Sequence, residues 1–257
     1  MSSQMPVLKE PSKKRMGSSK KLLYILILLF MALLAVLFFN SSISKISEIQ
    51  IEGTRFVSTE DIGKTSAILV GDAFFRTSSS TIEERILALP QISQAKVTKV
   101  FPGLVKISVE EFPVVAFELS KQGELTALLS NGTSVEADND EMQLVDKPVL
   151  SGWTEGDPIK AELTKQLGKI SAKQLSDLSE ILPYPSSAYP DRVVMYTRTK
   201  FEVVTAVSVL PEKIEALNAV IETQEPGKIT MLLADTYVPF ETESLENMDS
   251  EQKETTQ

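Results

Sequence analysis

Residues 94–113 read QAKVTKVFPGLVKISVEEFP, a stretch that turns back on itself as two strands. Ala95, Val97 and Lys99 alternate with Lys96, Thr98 and Val100, the two-residue period of a strand with one buried face. Phe101-Pro102-Gly103-Leu104 supplies the turn, because proline presets φ and glycine admits the positive φ that a tight reversal needs. Val105, Ile107 and Val109 then alternate with Lys106, Ser108 and Glu110. The result expected is a hairpin with one apolar face, which another layer must cover.

The segments upstream can supply that layer. Ser80 and Glu83 have the spacing of a capping box, and Ile82, Ile86 and Leu89 recur on one helical face until Pro90 closes the segment. Before it, Ser58 precedes Asp61 by three residues, and Val57 and Ile62 sit where a hydrophobic staple would form, so a short helix is expected to about Ile68. Gly71-Asp72 breaks it, and Phe74 and Phe75 are expected core anchors. Earlier still, Ile46, Ile49 and Ile51 are separated by polar residues until Gly53-Thr54 interrupts, which predicts a first strand. The order strand, helix, helix, strand, strand makes a two-layer α+β unit over residues 44–113.

Leu22 to Phe39 holds 18 consecutive uncharged residues, LLYILILLFMALLAVLFF. At about 1.5 Å rise per residue the run covers roughly 27 Å, close to the ~30 Å hydrocarbon core of a bilayer. Lys9, Lys13, Lys14, Arg15, Lys20 and Lys21 precede it against a single Glu10, which places residues 1–21 in the cytoplasm and everything beyond about Asn40 outside. Ser41 and Ser42 would suit a signal peptidase, but an apolar run longer than the usual ~7–15 residues favours a retained anchor. The basic leader also suits anionic lipid headgroups.

Beyond Pro113 the pattern becomes rich in short strands. Val114–Leu119, Leu125–Leu129 and Thr133–Glu136 are candidates, with Asn131-Gly132 as a hairpin turn. Lys147 to Trp153 (KPVLSGW) marks a strand end or corner. Asp157-Pro158 opens a helical segment in which Leu163, Leu167, Ile170, Leu175, Leu178 and Ile181 are spaced mostly by three or four. Leu182-Pro183-Tyr184-Pro185 ends it. Val193–Thr197 and Phe201–Val207 form a hairpin around Arg198-Thr199-Lys200, and Pro211 starts a helix facing inward through Ile214, Leu217 and Ile221. After Glu225-Pro226-Gly227, the run from Ile229 to Ala234 reads as the last strand. Residues 114–240 thus form a mixed, β-rich second unit with helices.

Composition restricts the chemistry. The chain of 257 residues carries a net charge of -9 and has neither histidine nor cysteine. Disulfides, thiolate nucleophiles, zinc-thiolate sites and the usual general base are therefore excluded. Asp138, Asp140 and Glu141 resemble part of a calcium loop but lack its glycine and distal glutamate, so a solvated turn is expected and no metal site or cofactor is assigned. Serine and lysine show no catalytic spacing; no catalytic residue and no enzymatic activity are expected. An acidic ectodomain does not suit nucleic acid. Residues 241–257 hold six acidic side chains against Lys253 and have no apolar period, so a disordered acidic tail is expected.

Placed directly after a membrane anchor, the strand-helix-helix-strand-strand unit resembles a POTRA domain. Four elements in order carry a wider resemblance over roughly residues 15–240. They are the anchor, Ile49–Gly53 (IQIEG) with Phe56-Val57-Ser58, Val105–Pro113 (VKISVEEFP) and Lys147–Gly152 (KPVLSG). This ordered set is similar to the bacterial cell-division family FtsQ, called DivIB in Gram-positive bacteria. The resemblance implies a non-enzymatic scaffold of the divisome, a single-pass type II membrane protein concentrated at the septum. It would hold bitopic partners of the FtsL and DivIC (or FtsB) kind and link them to septal peptidoglycan synthases. It also associates the POTRA domain with recruitment and the following domain with partner binding near its carboxyl-terminal strands.

The residues themselves offer a compatible docking mode. If Ile229–Ala234 is the last strand, it lies at a sheet edge, with Ile229, Met231 and Leu233 on one side, and an unpaired edge accepts a partner strand. Tyr237 and Phe240 just beyond are aromatic anchors of the kind that dominate interfaces. Ile229, Met231, Leu233, Tyr237 and Phe240 are therefore the expected partner site. A membrane-anchored secretion or assembly component that binds unfolded polypeptide would share everything up to Pro113, and would need a broad apolar groove in its second half.

Overall fold

The computed structural model describes residues 19–119, 124–137 and 146–240. The acidic cluster Asp138, Asp140 and Glu141 and the acidic tail lie outside the described residues. Helix α1 spans Ser19–Asn40, and among the described residues it is the one helix long and apolar enough to cross a membrane, with none of that span buried in the protein.

The next unit keeps the expected order: β1 (Glu48–Glu52), α2 (Thr59–Ser66), α3 (Ser79–Ile86), β2 (Ile92–Val100) and β3 (Leu104–Glu111). The sheet order is β1-β3-β2, with β3 central, parallel to β1 and antiparallel to β2. A parallel neighbour requires a crossover, and α2 and α3 supply it while covering one face. Val105, Ile107 and Val109 point into that core with Ile62, Ile82 and Ile86, whereas Lys106, Ser108 and Glu110 point out.

Caps and anchors partly differ from expectation. Ser58 caps α2, its Oγ accepting from the Asp61 N–H at 3.0 Å. The second cap is Ser78 and not Ser80: Ser78 Oγ accepts from the Thr81 N–H at 3.1 Å, in a run of hydroxyl residues (Thr77 to Thr81) any of which could cap. Glu83, freed from a capping box, accepts the Val97 N–H at 2.7 Å and ties α3 to β2. Helix α2 stops at Ser66, short of Ile68, because Ala67 turns to a left-handed φ of 51°. Phe74 is buried as expected, but Phe75 is 55% exposed, because the chain turns at residues 74–76 and carries its ring toward Phe38 and Phe39 of α1. Lys99 Nζ donates to the carbonyls of Phe74 and Thr77, and burial holds its ammonium below the usual lysine range.

The turn after β1 depends on two residues. Gly53 has φ +90°, and a Cβ there would sit 2.1 Å from the Val109 carbonyl oxygen of β3. Gly53→Ala should cost about 2 kcal/mol or more, through positive-φ strain plus loss of the β1–β3 approach, and chemical denaturation will read this as a lower midpoint. A few residues on, the Glu111 carboxylate accepts the main-chain N–H groups of Arg55 (2.8 Å), Phe56 (3.0 Å) and Val57 (3.1 Å). The end of β3 thus holds the loop that launches α2.

The remainder builds on a second sheet. Its elements are β4 (Val114–Leu119), β5 (Leu125–Leu129), β6 (Ser134–Glu136), β7 (Val149–Leu150), α4 (Pro158–Leu167), α5 (Ala172–Leu175), β8 (Leu178–Pro183), β9 (Arg192–Thr197), β10 (Glu202–Ala206), α6 (Leu210–Thr223), β11 (Gly227–Met231) and β12 (Asp235–Pro239). Among the described residues the strand order is β12-β11-β10-β9-β8-β7-β4-β5-β6. Leu163 and Leu167 of α4 and Leu210, Ile214 and Leu217 of α6 pack over Ile181, Val193, Met195, Val203 and Ile229. The expected helix through Ile181 is corrected, because Leu178 and Ile181 lie on strand β8. A register irregularity between Leu178 and Glu180 lets residues three apart both face the core, which imitates a helical spacing.

The two sheets meet across Pro113. Phe56 packs against Phe117, Leu125 and Ala127 on the second sheet, and Asn131 Nδ2 donates to the Pro90 carbonyl at 2.8 Å.

Candidate functional site: the β12 edge of the second sheet

Strand β11 is not an edge. It pairs in parallel with β10 and antiparallel with β12, so the expectation that Ile229–Ala234 closes the sheet is corrected. Leu232, Leu233 and Ala234 reverse the chain within three residues, a turn without the glycine or proline that would have announced it. The edge is β12, in register Gly227↔Pro239, Ile229↔Tyr237 and Met231↔Asp235.

The residues expected to form the partner site are therefore divided. Ile229 and Met231 are buried in the core beneath the sheet and offer no side chain to a partner. Leu233 projects from the turn, 93% exposed. Tyr237 pairs with Ile229 on the core side, and its Oη donates to the Glu225 carbonyl at 2.6 Å, which fixes the start of β11 against β12. Phe240 is exposed just past the strand, and so is Val238 within it, a residue the sequence pattern did not single out. Val238 could have been found from its place between Tyr237 and Pro239, a β-branched residue on a strand whose proline is tolerated only at an edge.

The main chain of β12 has a definite outward side. The Phe240 N–H donates to the Pro226 carbonyl at 3.4 Å, and a Cβ on Gly227 would fall 2.4 Å from the Val238 oxygen. Even-numbered residues therefore turn their peptide groups toward β11. In an antiparallel ladder the direction alternates, so Asp235, Tyr237 and Pro239 turn theirs outward. The N–H groups of Asp235 and Tyr237, with three carbonyls, make a short half-ladder that no strand among the described residues pairs with, and Pro239 removes a donor at its far end. The Gly227 contact also explains why that position carries no side chain. Lys213 of α6 pairs with Asp235 at 2.9 Å and Lys228 of β11 with Glu202 of β10 at 3.0 Å, bracing the last strands.

At the opposite edge, β6 has only three residues, Ser134–Glu136, which limits pairing. Near the start of β9, the Asp191 carboxyl is pushed up by burial, but bonds from the Ser208 side chain and N–H and from its own N–H hold it below the usual range. That contribution is present above the unfolded carboxyl pKa and lost as pH falls through the lower folded value. Among the described residues no three His, Cys, Asp or Glu side chains converge to hold a metal.

Comparison with known proteins finds a matching family model and close relatives. The family model for the FtsQ-type POTRA domain matches residues 44–112. The cell division protein DivIB of Paenibacillus polymyxa is 46% identical over 254 residues, covering 99% of this chain and 98% of that protein. DivIB of Geobacillus kaustophilus is 29% identical over 248 residues, covering 95% and 94%. A solved structure of the major extracytoplasmic domain of DivIB from Geobacillus stearothermophilus, its trans isomer, aligns with 43% of this chain and 92% of its own length at 32% identity and a TM-score of 0.38.

Proposed function

The chain belongs to the FtsQ/DivIB family of bacterial cell-division proteins, and from that premise we propose that it is a non-enzymatic scaffold of the division machinery. It is a membrane-anchored division protein, and in the proposed arrangement residues 1–21 are cytoplasmic and the bulk of the chain lies outside, at the septum. Residues 44–113 act in recruitment, and residues 114–240 hold bitopic partners of the FtsL and DivIC (or FtsB) kind and connect them to peptidoglycan synthases.

The single observation that carries the docking reading is the outward half-ladder of β12. A partner strand laid along it would bond to the N–H groups of Asp235 and Tyr237, while side chains of alternate partner residues meet Val238 and Phe240. A strand donor with an exposed apolar residue or two suits this edge better than a globular face does.

The alternative, a binder of unfolded secreted chains, needs a broad apolar groove. The large concavity beside α4, about 950 Å³, is bordered by Glu118, Glu155, Asp157 and Lys160 around Trp153, and does not provide one. The test is co-purification from native-host membranes with tagged full-length protein. Recovery of one defined pair of small bitopic proteins supports the scaffold, and recovery of many unrelated secreted chains supports the alternative.

A further inference from the structure

Helix α1 does not pass into a loose tether. The Ser44 hydroxyl donates to the Phe39 carbonyl at 2.8 Å, and the Phe74 N–H donates to the Ser44 carbonyl at 2.8 Å. Ile46 N–H to Asp72 O and Gly71 N–H to Ile46 O, each 2.8 Å, continue the zipper. The chain leaving α1 is thus bonded strand-like to residues 71–74 of the globular unit.

Five phenyl rings connect across this junction. Phe38 and Phe39, in the last turn of α1, each have ring centroids 6.3 Å from Phe75. Phe75 lies 5.1 Å from Phe74 and 6.3 Å from Phe101. Only Phe74 is buried, while Phe39, Phe75 and Phe101 are 60%, 55% and 52% exposed. Two of these exposed rings, Phe75 and Phe101, belong to the globular unit and extend the lipid-facing surface of α1 sideways.

We propose that Phe75 and Phe101 sit in the headgroup–acyl boundary of the bilayer and dock the first globular unit on the membrane in one orientation. The proposal rests on reading α1 as the membrane span. Phe38 and Phe39 end an apolar run of hydrocarbon-core length, so they mark the boundary of the core. Phe75, in contact with both, lies at nearly the same depth, and Phe101, 6.3 Å from Phe75, is one ring further on. Burying apolar ring surface there gains roughly 25 cal/mol per Å², and because α1 already tethers the unit, even a small contact is occupied. Exposed Lys45 and Arg76 flank the rings in sequence and can reach phosphate groups while their stems stay in the boundary. Lipid, not protein, is the occupant, because the patch is continuous with a surface that lipid already covers.

The experiment uses full-length protein in nanodiscs of phosphatidylglycerol and a phosphatidylcholine brominated near the top of its acyl chains. The chain has one tryptophan, Trp153, so a Trp153→Phe background allows single probes at Phe101→Trp, Phe75→Trp, Phe39→Trp and the distant Tyr184→Trp. Emission at positions 101 and 75 is expected to fall on bromination by an amount comparable with position 39, with no loss at 184. Quenching at 39 without quenching at 75 and 101 would overturn docking and leave the anchor standing. An unquenched but blue-shifted probe at 101 would place a protein surface there and would equally overturn it. Loss of quenching at 39 as well would remove the anchor reading itself.

Discussion

Val238→Lys combined with Phe240→Asp should leave the protein folded and reduce recovery of its bitopic partners by about thirtyfold or more. Both side chains lie on the last described strand of the second sheet or just past it, and neither belongs to the core cluster that Ile229 and Met231 join beneath it. Replacing two edge contacts of hot-spot type removes roughly 2 kcal/mol or more from the interface, and a buried charge against an incoming strand adds to this. Co-purification and an unchanged thermal transition, measured on the same preparation, check both halves. The matched control is Ser134→Lys on β6, which should leave recovery unchanged. Gly227→Val is the complementary variant, because its side chain would collide with the Val238 carbonyl and with Tyr237. It should displace β12 and lose the partner while the first unit stays folded.

The second large effect is on stability. Glu111→Ala should cost about 2–3 kcal/mol and lower the transition of the first unit by roughly 8 °C or more. The carboxylate is the shared acceptor for three consecutive main-chain N–H groups, at Arg55, Phe56 and Val57, and hydrogen bonds to a charged group contribute about 1.5–3 kcal/mol each before hydration recovers part of the loss. Glu111→Gln keeps an oxygen acceptor and should fall between the two. Differential scanning calorimetry gives the comparison directly. An effect below about 0.5 kcal/mol for Glu111→Ala would mean that solvent replaces the carboxylate at no cost.

The role of Glu111 shows which parts of this fold the sequence declares. Alternation in residues 94–113 predicts the hairpin and its buried face, because side-chain period is a local property. The sequence run VEEFP is recognisable as a family element, yet nothing in it says that its second glutamate reaches back some fifty residues to an N–H nest. That is a tertiary fact. Leu178 and Ile181 fail in the opposite direction, since a strand irregularity produces the spacing of a helix. At the candidate site the pattern places attention on the right end of the chain, but alternation through Leu233 cannot reveal that Leu232 to Ala234 turn. The true edge, Asp235–Pro239, is a strand of mixed propensity stabilised by pairing with β11, by the Lys213–Asp235 ion pair and by the Tyr237 hydroxyl. Phe75 is misplaced for a related reason. A large apolar residue can be taken up by a surface other than the core, and the Phe75 ring lies 6.3 Å from those of Phe38 and Phe39 in the last turn of the apolar helix α1.

The most direct test of the central claim, that the β12 edge receives a partner strand, is site-specific photocrosslinking in dividing cells of the native host. A photoreactive residue at Thr236 is compared with one at Val135 on the opposite edge, both in the full-length protein. The account predicts a discrete adduct with a small bitopic division protein from position 236 and none from 135. An adduct from 135 alone, or equal adducts from both, would contradict it.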